Sequence, residues 1–415
     1  MLCLLVALVA VVLVVSAHQP QRAVLPAQNG RGGNPDAPSR ADLRGDAAGA
    51  LLERLASRLR HGTHREVVAL AAPGDVAARR ELSTLRANVH RLRVTDLSFR
   101  YIDDQAREVG AARRRALGGD AFVGQVQMTW RVGGFDRRES RREVPMTFVR
   151  RGSGAGFVTA RGGDQATPLW MLDRVFVDRS RRSLVVATRP GRLPRFSRLA
   201  DRAVVDVRKV LPRWRGRLVV EVPTDQHGLT RVLGSKPDAY REIAAVTTTV
   251  DGSLTPGTPV HIFVNPRVFD PLGPRGSQIV MSHEATHVAV RAAFSTMPTW
   301  LLEGFADYVA LAHVDLPVSV TASQILNQVR RHGAPRHLPG KREFDPQNQA
   351  LGASYESAWL ACRLLAEEYG EKRLIAFYRA SDRAASTRRP FRSVLGTDVQ
   401  AFTRAWRRDL RGLAG

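Results

Sequence analysis

Two histidines four residues apart, with a glutamate directly after the first, constrain this chain more than any other feature. They stand in the run His283-Glu284-Ala285-Thr286-His287. Sixteen residues beyond His287 comes Glu303, in Pro298-Thr-Trp-Leu-Leu-Glu303-Gly-Phe-Ala-Asp307-Tyr308. On a helix the i, i+4 spacing stacks both imidazoles on one face, one turn apart, where they can grip a single metal ion. Glu284 sits about 100° further round the helix, placed to act as a base on a water that the ion activates. Glu303, on a second helix, completes a set of two imidazoles and one carboxylate with one position open. That donor set belongs to a catalytic zinc and not to a closed structural one. Asp307 lies one turn beyond Glu303 on the same face, where it can accept the outer N–H of a ligand histidine and fix its tautomer.

The flanks make these helices buried ones. Ile279, Val280, Val288 and Val290 surround the motif, and unpaired His and Glu would be costly in such a setting. Ser277 is read as the N-cap of the first helix, which is expected to end near Ala293. Pro298 suits the first turn of the second helix, where its missing N–H costs nothing.

The 415 residues suffice for two ordinary domains, and 44% apolar with 25% charged residues is a globular composition. The formal charge of +24 is carried almost wholly by arginine, since Lys209, Lys236, Lys341 and Lys372 are the only lysines. The arginines form no single basic stripe and no aromatic stacking platform accompanies them, so no nucleic-acid partner is expected. An anionic cell-envelope surface fits the same charge. Leu2 to Val15 is an unbroken apolar run that closes on Ser16-Ala17. Residues 1–17 therefore read as a signal peptide or membrane anchor, which predicts a secreted or membrane-anchored protein with its domains outside the cytoplasm. Apart from Cys3 the one cysteine is Cys362, in an apolar helical pattern, so a core thiol and no intramolecular disulfide are expected.

Along the chain, residues 18–48 are rich in Gly, Pro, Arg and Ala without apolar periodicity, and read as a flexible linker. From 49 the pattern turns helical (Leu51, Leu52, Leu55, Leu59), with a second helix over Val76 to Leu92. Alternating runs follow at Leu97–Ile102, Phe122–Val132, Val144–Phe148 and Gly154–Thr159. Val175–Val177 and Leu184–Ala187 read as a terminal hairpin of this first domain, 49–190, and Thr188 to Pro194 as the boundary. In the second domain, 195–415, a helix over Phe196–Leu211 and strands at Arg217–Val222, Ala244–Val250 and Pro259–Val264 precede the histidine helix. The region after Val318 reads as helical. The fold class expected is α+β: an N-terminal helix-plus-antiparallel-sheet domain, then a domain with a helical C-terminal lobe. By element order alone the first domain resembles the cone-shaped cystatin-like and nuclear-transport-factor-like folds.

On His283-Glu-Ala-Thr-His287 and the segment from Pro298 through Glu303 and Asp307 to Tyr308, the chain resembles the gluzincin zinc metallopeptidases. The specific likeness is to the bacterial peptidase MA-like group, related to thermolysin and the zinc aminopeptidases. It runs from Phe196 to Trp406, and more weakly takes in Tyr355-Glu-Ser-Ala-Trp359, Glu368-Tyr-Gly370 and Trp406. It implies a zincin-like domain in which His283, His287 and Glu303 ligate zinc. Glu284 would be the general base, and Asp307 would orient His283. The stretch between His287 and Glu303 is shorter than those relatives carry, and no Gly-x-Met-Glu-Asn exopeptidase signature is present. Such hydrolysis also needs a donor for the developing oxyanion. Tyr355, opening a helix after a long loop, is the candidate, with His261 and His313 as lesser ones; a core or capping role is the other reading of Tyr355. The loop from His332 to Ala350 is expected to border the cleft. The expected activity is exported, zinc-dependent hydrolysis of a peptide or protein substrate. The alternative is a non-catalytic envelope-binding protein with a structural or latent zinc site.

Overall fold

The computed structural model describes residues 38–105, 108–161 and 165–415. The expected signal or anchor segment, 1–17, and most of the expected linker lie outside the described residues. The linker is shorter than its composition suggested, because a helix runs from Arg40 to His61. Ser39 and Asp42 form a capping box: the Asp42 N–H donates to Ser39 Oγ, and the Ser39 N–H donates to the Asp42 carboxylate. The box satisfies two end donors that would otherwise be orphaned. Leu51, Leu52, Leu55 and Leu59 form its buried face. A second long helix, Val76–Leu92, is capped by Asp75.

These helices cover an antiparallel meander of four strands, β1 (Val94–Asp104), β2 (Asp120–Val132), β3 (Ser140–Arg151) and β4 (Gly154–Thr159), paired in chain order. Val126, Trp130, Val144, Phe148 and Phe157 are among the side chains it buries completely.

A second sheet has the order β5-β6-β7-β9-β8, from β5 (Phe176–Arg179), β6 (Ser183–Ala187), β7 (Leu218–Val222), β8 (Ala245–Thr249) and β9 (Val260–Val264). Here the sequence reading needs correcting. The hairpin β5–β6 does not close the first sheet; it forms one edge of the second. The segment Thr188 to Pro194 is the turn of a β-helix-β unit, whose helix Leu193–Val210 returns the chain to pair β7 parallel to β6. Parallel neighbours need such a crossover, and Pro194 near the helix start supplies a breaker signal that resembles a domain boundary. β8 is the other edge, antiparallel to β9.

The histidine helix spans Pro274–Val290, with Gly273 at its N-cap and Arg291 ending it in the left-handed region at φ 60°. Ser277 is therefore not the cap. It lies buried inside the first turns, donating to the Leu272 carbonyl at 3.0 Å and accepting from Arg195 at 2.8 Å. The helix over Thr299–Leu311 begins one residue after Pro298, which is its N-cap. The C-terminal lobe consists of helices Ser323–His332, Leu351–Tyr369, Glu371–Ala384, Arg388–Leu395 and Val399–Ala414. Gly304 lets two of these elements touch: a Cβ there would overlap the Ala358 carbonyl of the Leu351–Tyr369 helix. The hydrophobic core is continuous between the two sheets and the helical lobe. No described helix is long and apolar enough to cross a membrane.

Candidate metal centre

The Pro274–Val290 helix is buried along the whole of Ile279 to His287, because it is clamped between the second sheet, the Leu193–Val210 helix and the Thr299–Leu311 helix. That environment gives the polar side chains of the motif no water to fall back on, so each must find a partner inside. His283 Nε2 and His287 Nε2 lie 2.9 Å apart. Glu303 Oε2 stands 3.3 Å from the first and 3.4 Å from the second. Together they form a buried group of three donor atoms, all within 4.8 Å of one another.

The other ring nitrogen of His283 is fixed. Its Nδ1 is 2.7 Å from Asp307 Oδ1. An imidazole that gives its Nδ1 proton to a carboxylate keeps its Nε2 lone pair for a ligand, and the carboxylate raises its basicity. His287 Nδ1 and Glu303 Oε2 have no hydrogen-bond partner among the described residues.

Burial pushes the His283 imidazole toward neutrality, but Asp307 and Glu303 outweigh it and raise the group to about 10. Burial alone would raise Glu303; the histidines instead hold it down at about 2. Burial also raises Glu284 and Asp307, against the opposing pull of the histidines.

Glu284 is the informative member. Its Oε2 accepts a 2.5 Å hydrogen bond from the Thr247 hydroxyl, which also reaches the Glu284 carbonyl at 3.2 Å. Its Oε1 is buried without a partner. Thr247 is pinned by its place on β8, opposite Ile262 of β9. Sequence reasoning missed this residue. It sits in the run Thr247-Thr-Thr-Val250 with no spacing that ties it to the histidines, and only the strand register brings it there.

Of the three candidate oxyanion donors, the structure brings one to the site. The Tyr355 ring is 6.3 Å from that of His283, centroid to centroid. Its hydroxyl is buried with no partner. Burial first, then Glu303, Asp307 and Glu284, drives its pKa well above the usual tyrosine range, so it remains a donor. His261 is elsewhere. It pairs with Thr248, whereas Thr247 pairs with Ile262, and successive strand residues face opposite sides of a sheet. His261 therefore points away from the histidine helix, with its Nδ1 at 2.8 Å from Glu221 and its Nε2 at 3.1 Å from Asp136. His313 is exposed beyond the end of the Glu303 helix.

None of His283, Glu284, His287, Glu303, Asp307 and Tyr355 is more than 3% exposed. A second residue that the sequence did not single out contributes to this. Phe344, in the loop before the Leu351–Tyr369 helix, is buried edge-on against Tyr355 with ring centroids 5.0 Å apart. Among the described residues, the hydrogen bonds of the 334–350 loop stay within the loop and the first turn of the helix that follows. No family model and no curated protein matches the chain.

Proposed function

We propose that this chain is a zinc-dependent hydrolase of peptide bonds, with a zincin-like second domain and a cone-like first domain. The observation that carries the reading is Glu284. It is a buried carboxylate beside the three metal-facing atoms, yet it is not one of them, and one of its oxygens has no partner. A site that only bound metal for stability would gain nothing from it.

The donor set fits the ion: two imidazoles and a carboxylate suit zinc. His283, His287 and Glu303 would hold it. When bound, zinc lowers the pKa of water toward neutrality and polarises a carbonyl. The rest follows from the chain's own residues. Thr247 clamps Glu284 Oε2, so that Oε1 is the oxygen left to take a proton and later return it to the leaving amine. Asp307 holds His283 in one tautomer. Tyr355 offers an unspent hydroxyl to developing negative charge. β8 is an edge of the second sheet in hydrogen bonding, since Ala244 and Val250 bond inward to the β9 side, but Ala245, Thr247 and Thr249 on it are buried.

The burial of every one of these groups supports a second reading, in which the chain is latent or serves as a binding protein at an envelope surface. The two are separated by measuring bound metal in the full-length protein and assaying a quenched peptide library beside Glu284→Gln. One zinc per chain, with cleavage that the substitution lowers by about 10²–10⁴-fold, supports the peptidase. One zinc with no cleavage in either protein supports the latent or binding role. Absence of bound zinc overturns both.

A further inference from the structure

The Tyr355 hydroxyl has no hydrogen bond to aim it. Tyr355 is the fifth residue of the Leu351–Tyr369 helix, on the side where Ala358 and Cys362 meet Gly304 of the Glu303 helix. The helix fixes where the side chain leaves the backbone, but it allows an aromatic ring two staggered wells at χ1. A hydrogen bond from the hydroxyl would choose between them, and among the described residues there is none. A buried hydroxyl without a partner gains from any swing that reaches one, so the ring needs to be held. Two rings meet it. His283 lies 6.3 Å away at 60°, and Phe344 lies 5.0 Å away at 88°. The Phe344 contact is the closer one, in the edge-on arrangement that aromatic pairs prefer.

Phe344 arrives on a loop that is otherwise lightly held. Within 334–350, Pro339 and Phe344 are the only buried residues. The loop is bonded to itself: the Gly340 N–H donates to the Glu343 carboxylate at 2.8 Å, and Asn348 Nδ2 donates to the Glu343 carbonyl at 3.1 Å. It leaves the Ser323–His332 helix at Gly333, whose φ of 80° and ψ of 168° belong almost only to glycine. A segment bonded to itself and anchored by two side chains is placed as one piece, and the Phe344 ring with it.

We propose that Phe344 is a positioning residue for Tyr355: the seated 334–350 loop keeps the tyrosine ring beside His283 and its hydroxyl beside the metal-facing atoms. The inference rests on the peptidase reading, in which that hydroxyl meets developing negative charge. Phe344 acts through the ring it packs on and needs no contact with the reacting atoms. The loop that covers the centre therefore also completes it. With the loop displaced, the chain keeps His283, His287 and Glu303 for metal and lacks an aimed donor.

The test compares Phe344→Ala, Phe344→Leu and Tyr355→Phe, alone and combined, in the full-length protein loaded with zinc, on a quenched peptide that the native chain cleaves. Tyr355→Phe is expected to lower kcat by about 10²–10³-fold, the range for loss of one oxyanion donor. Phe344→Ala is expected to lower kcat by about tenfold or more with KM nearly unchanged and zinc content unchanged. Phe344→Leu keeps apolar bulk and is expected to lose less. In the Tyr355→Phe background, Phe344→Ala should cost less than about twofold, because the group it aims is gone. A Phe344→Ala chain that cleaves as fast as the native one or faster, as removal of a mere plug would give, overturns the proposal. So does a loss that simply multiplies with that of Tyr355→Phe. A crystal structure of Phe344→Ala gives a readout that needs no turnover. The Tyr355 ring is expected in a second χ1 well or split between two, and a ring left in place overturns the proposal. Absence of cleavage by the native chain sinks the peptidase reading itself, whereas the crystal structure still decides whether Phe344 holds the ring.

Discussion

Two buried histidines in this molecule each stand between carboxylates, and they end in opposite conditions. His261 has both ring nitrogens engaged, one by Glu221 and one by Asp136. It is a closed ion trio that joins β7 and β9 to the turn after β2. His283 has one nitrogen engaged by Asp307, while the other faces His287 and Glu303 across a shared space. The residue types are nearly the same and the burial is the same. What differs is whether lone pairs are left over. Where each donor meets one acceptor, the cluster is structure. Where two imidazoles and a carboxylate converge, the group could hold a metal ion.

That contrast can be broken by experiment, most severely at the ligands. His287→Ala should remove bound metal from the purified chain, whereas His261→Gln should leave one equivalent. Mass spectrometry of the native protein reads both, and an equal effect at the two positions would erase the distinction. Next in size is the cost of opening the closed trio. Asp136→Asn leaves a buried imidazolium with one charged partner in place of two, a loss on the order of 3 kcal/mol. Urea unfolding should show it, with metal content unchanged.

The same trio should respond to pH. Burial lowers the His261 pKa, but Asp136 and Glu221 raise it from 6.5 to about 9. A group raised on folding contributes stability that is complete below about pH 6.5 and fades as the pH climbs through about 9. The melting temperature should therefore fall over that interval, and His261→Gln should flatten the fall. An unchanged slope in the variant would place the pH dependence elsewhere. The smallest effect expected is at Asp307. Asp307→Asn should keep the site but weaken metal binding by about 10–100-fold, as loss of a carboxylate that orients a ligand histidine does. Competition with a chelating dye measures it, and an affinity equal to the native chain's would mean that the Asp307 contact orients nothing.

What could be read in the sequence was whatever a single local period encodes. His283, Glu284 and His287 are set by one helix, and Glu303 and Asp307 by the next, so spacing alone placed all five. The helix from Val76 to Leu92 and the meander β1–β4 were legible for the same reason. Thr247 was not, because its place beside Glu284 depends on strand register across the second sheet. Nor was the allegiance of β5 and β6: a hairpin looks the same locally whichever sheet it joins, and only the crossover to β7 decides. At Ser277 two signals competed, and Gly273-Pro274 won the helix start. The Ser39–Asp42 capping box was present in the sequence but lay inside a Gly- and Ala-rich stretch that masked it.

The seal that Phe344 makes over Tyr355 has a kinetic meaning. If nothing reaches the His283–Glu303 space without displacement of the 334–350 loop, the opening rate of that loop bounds everything that enters or leaves. An ion held there would then be lost to a chelator at a rate that first rises with chelator concentration and then levels off, because capture no longer limits escape. The plateau would equal the frequency of loop opening. Phe344→Ala would lift that plateau without altering how many ions the chain holds at equilibrium, which would make one aromatic ring the clock of the site.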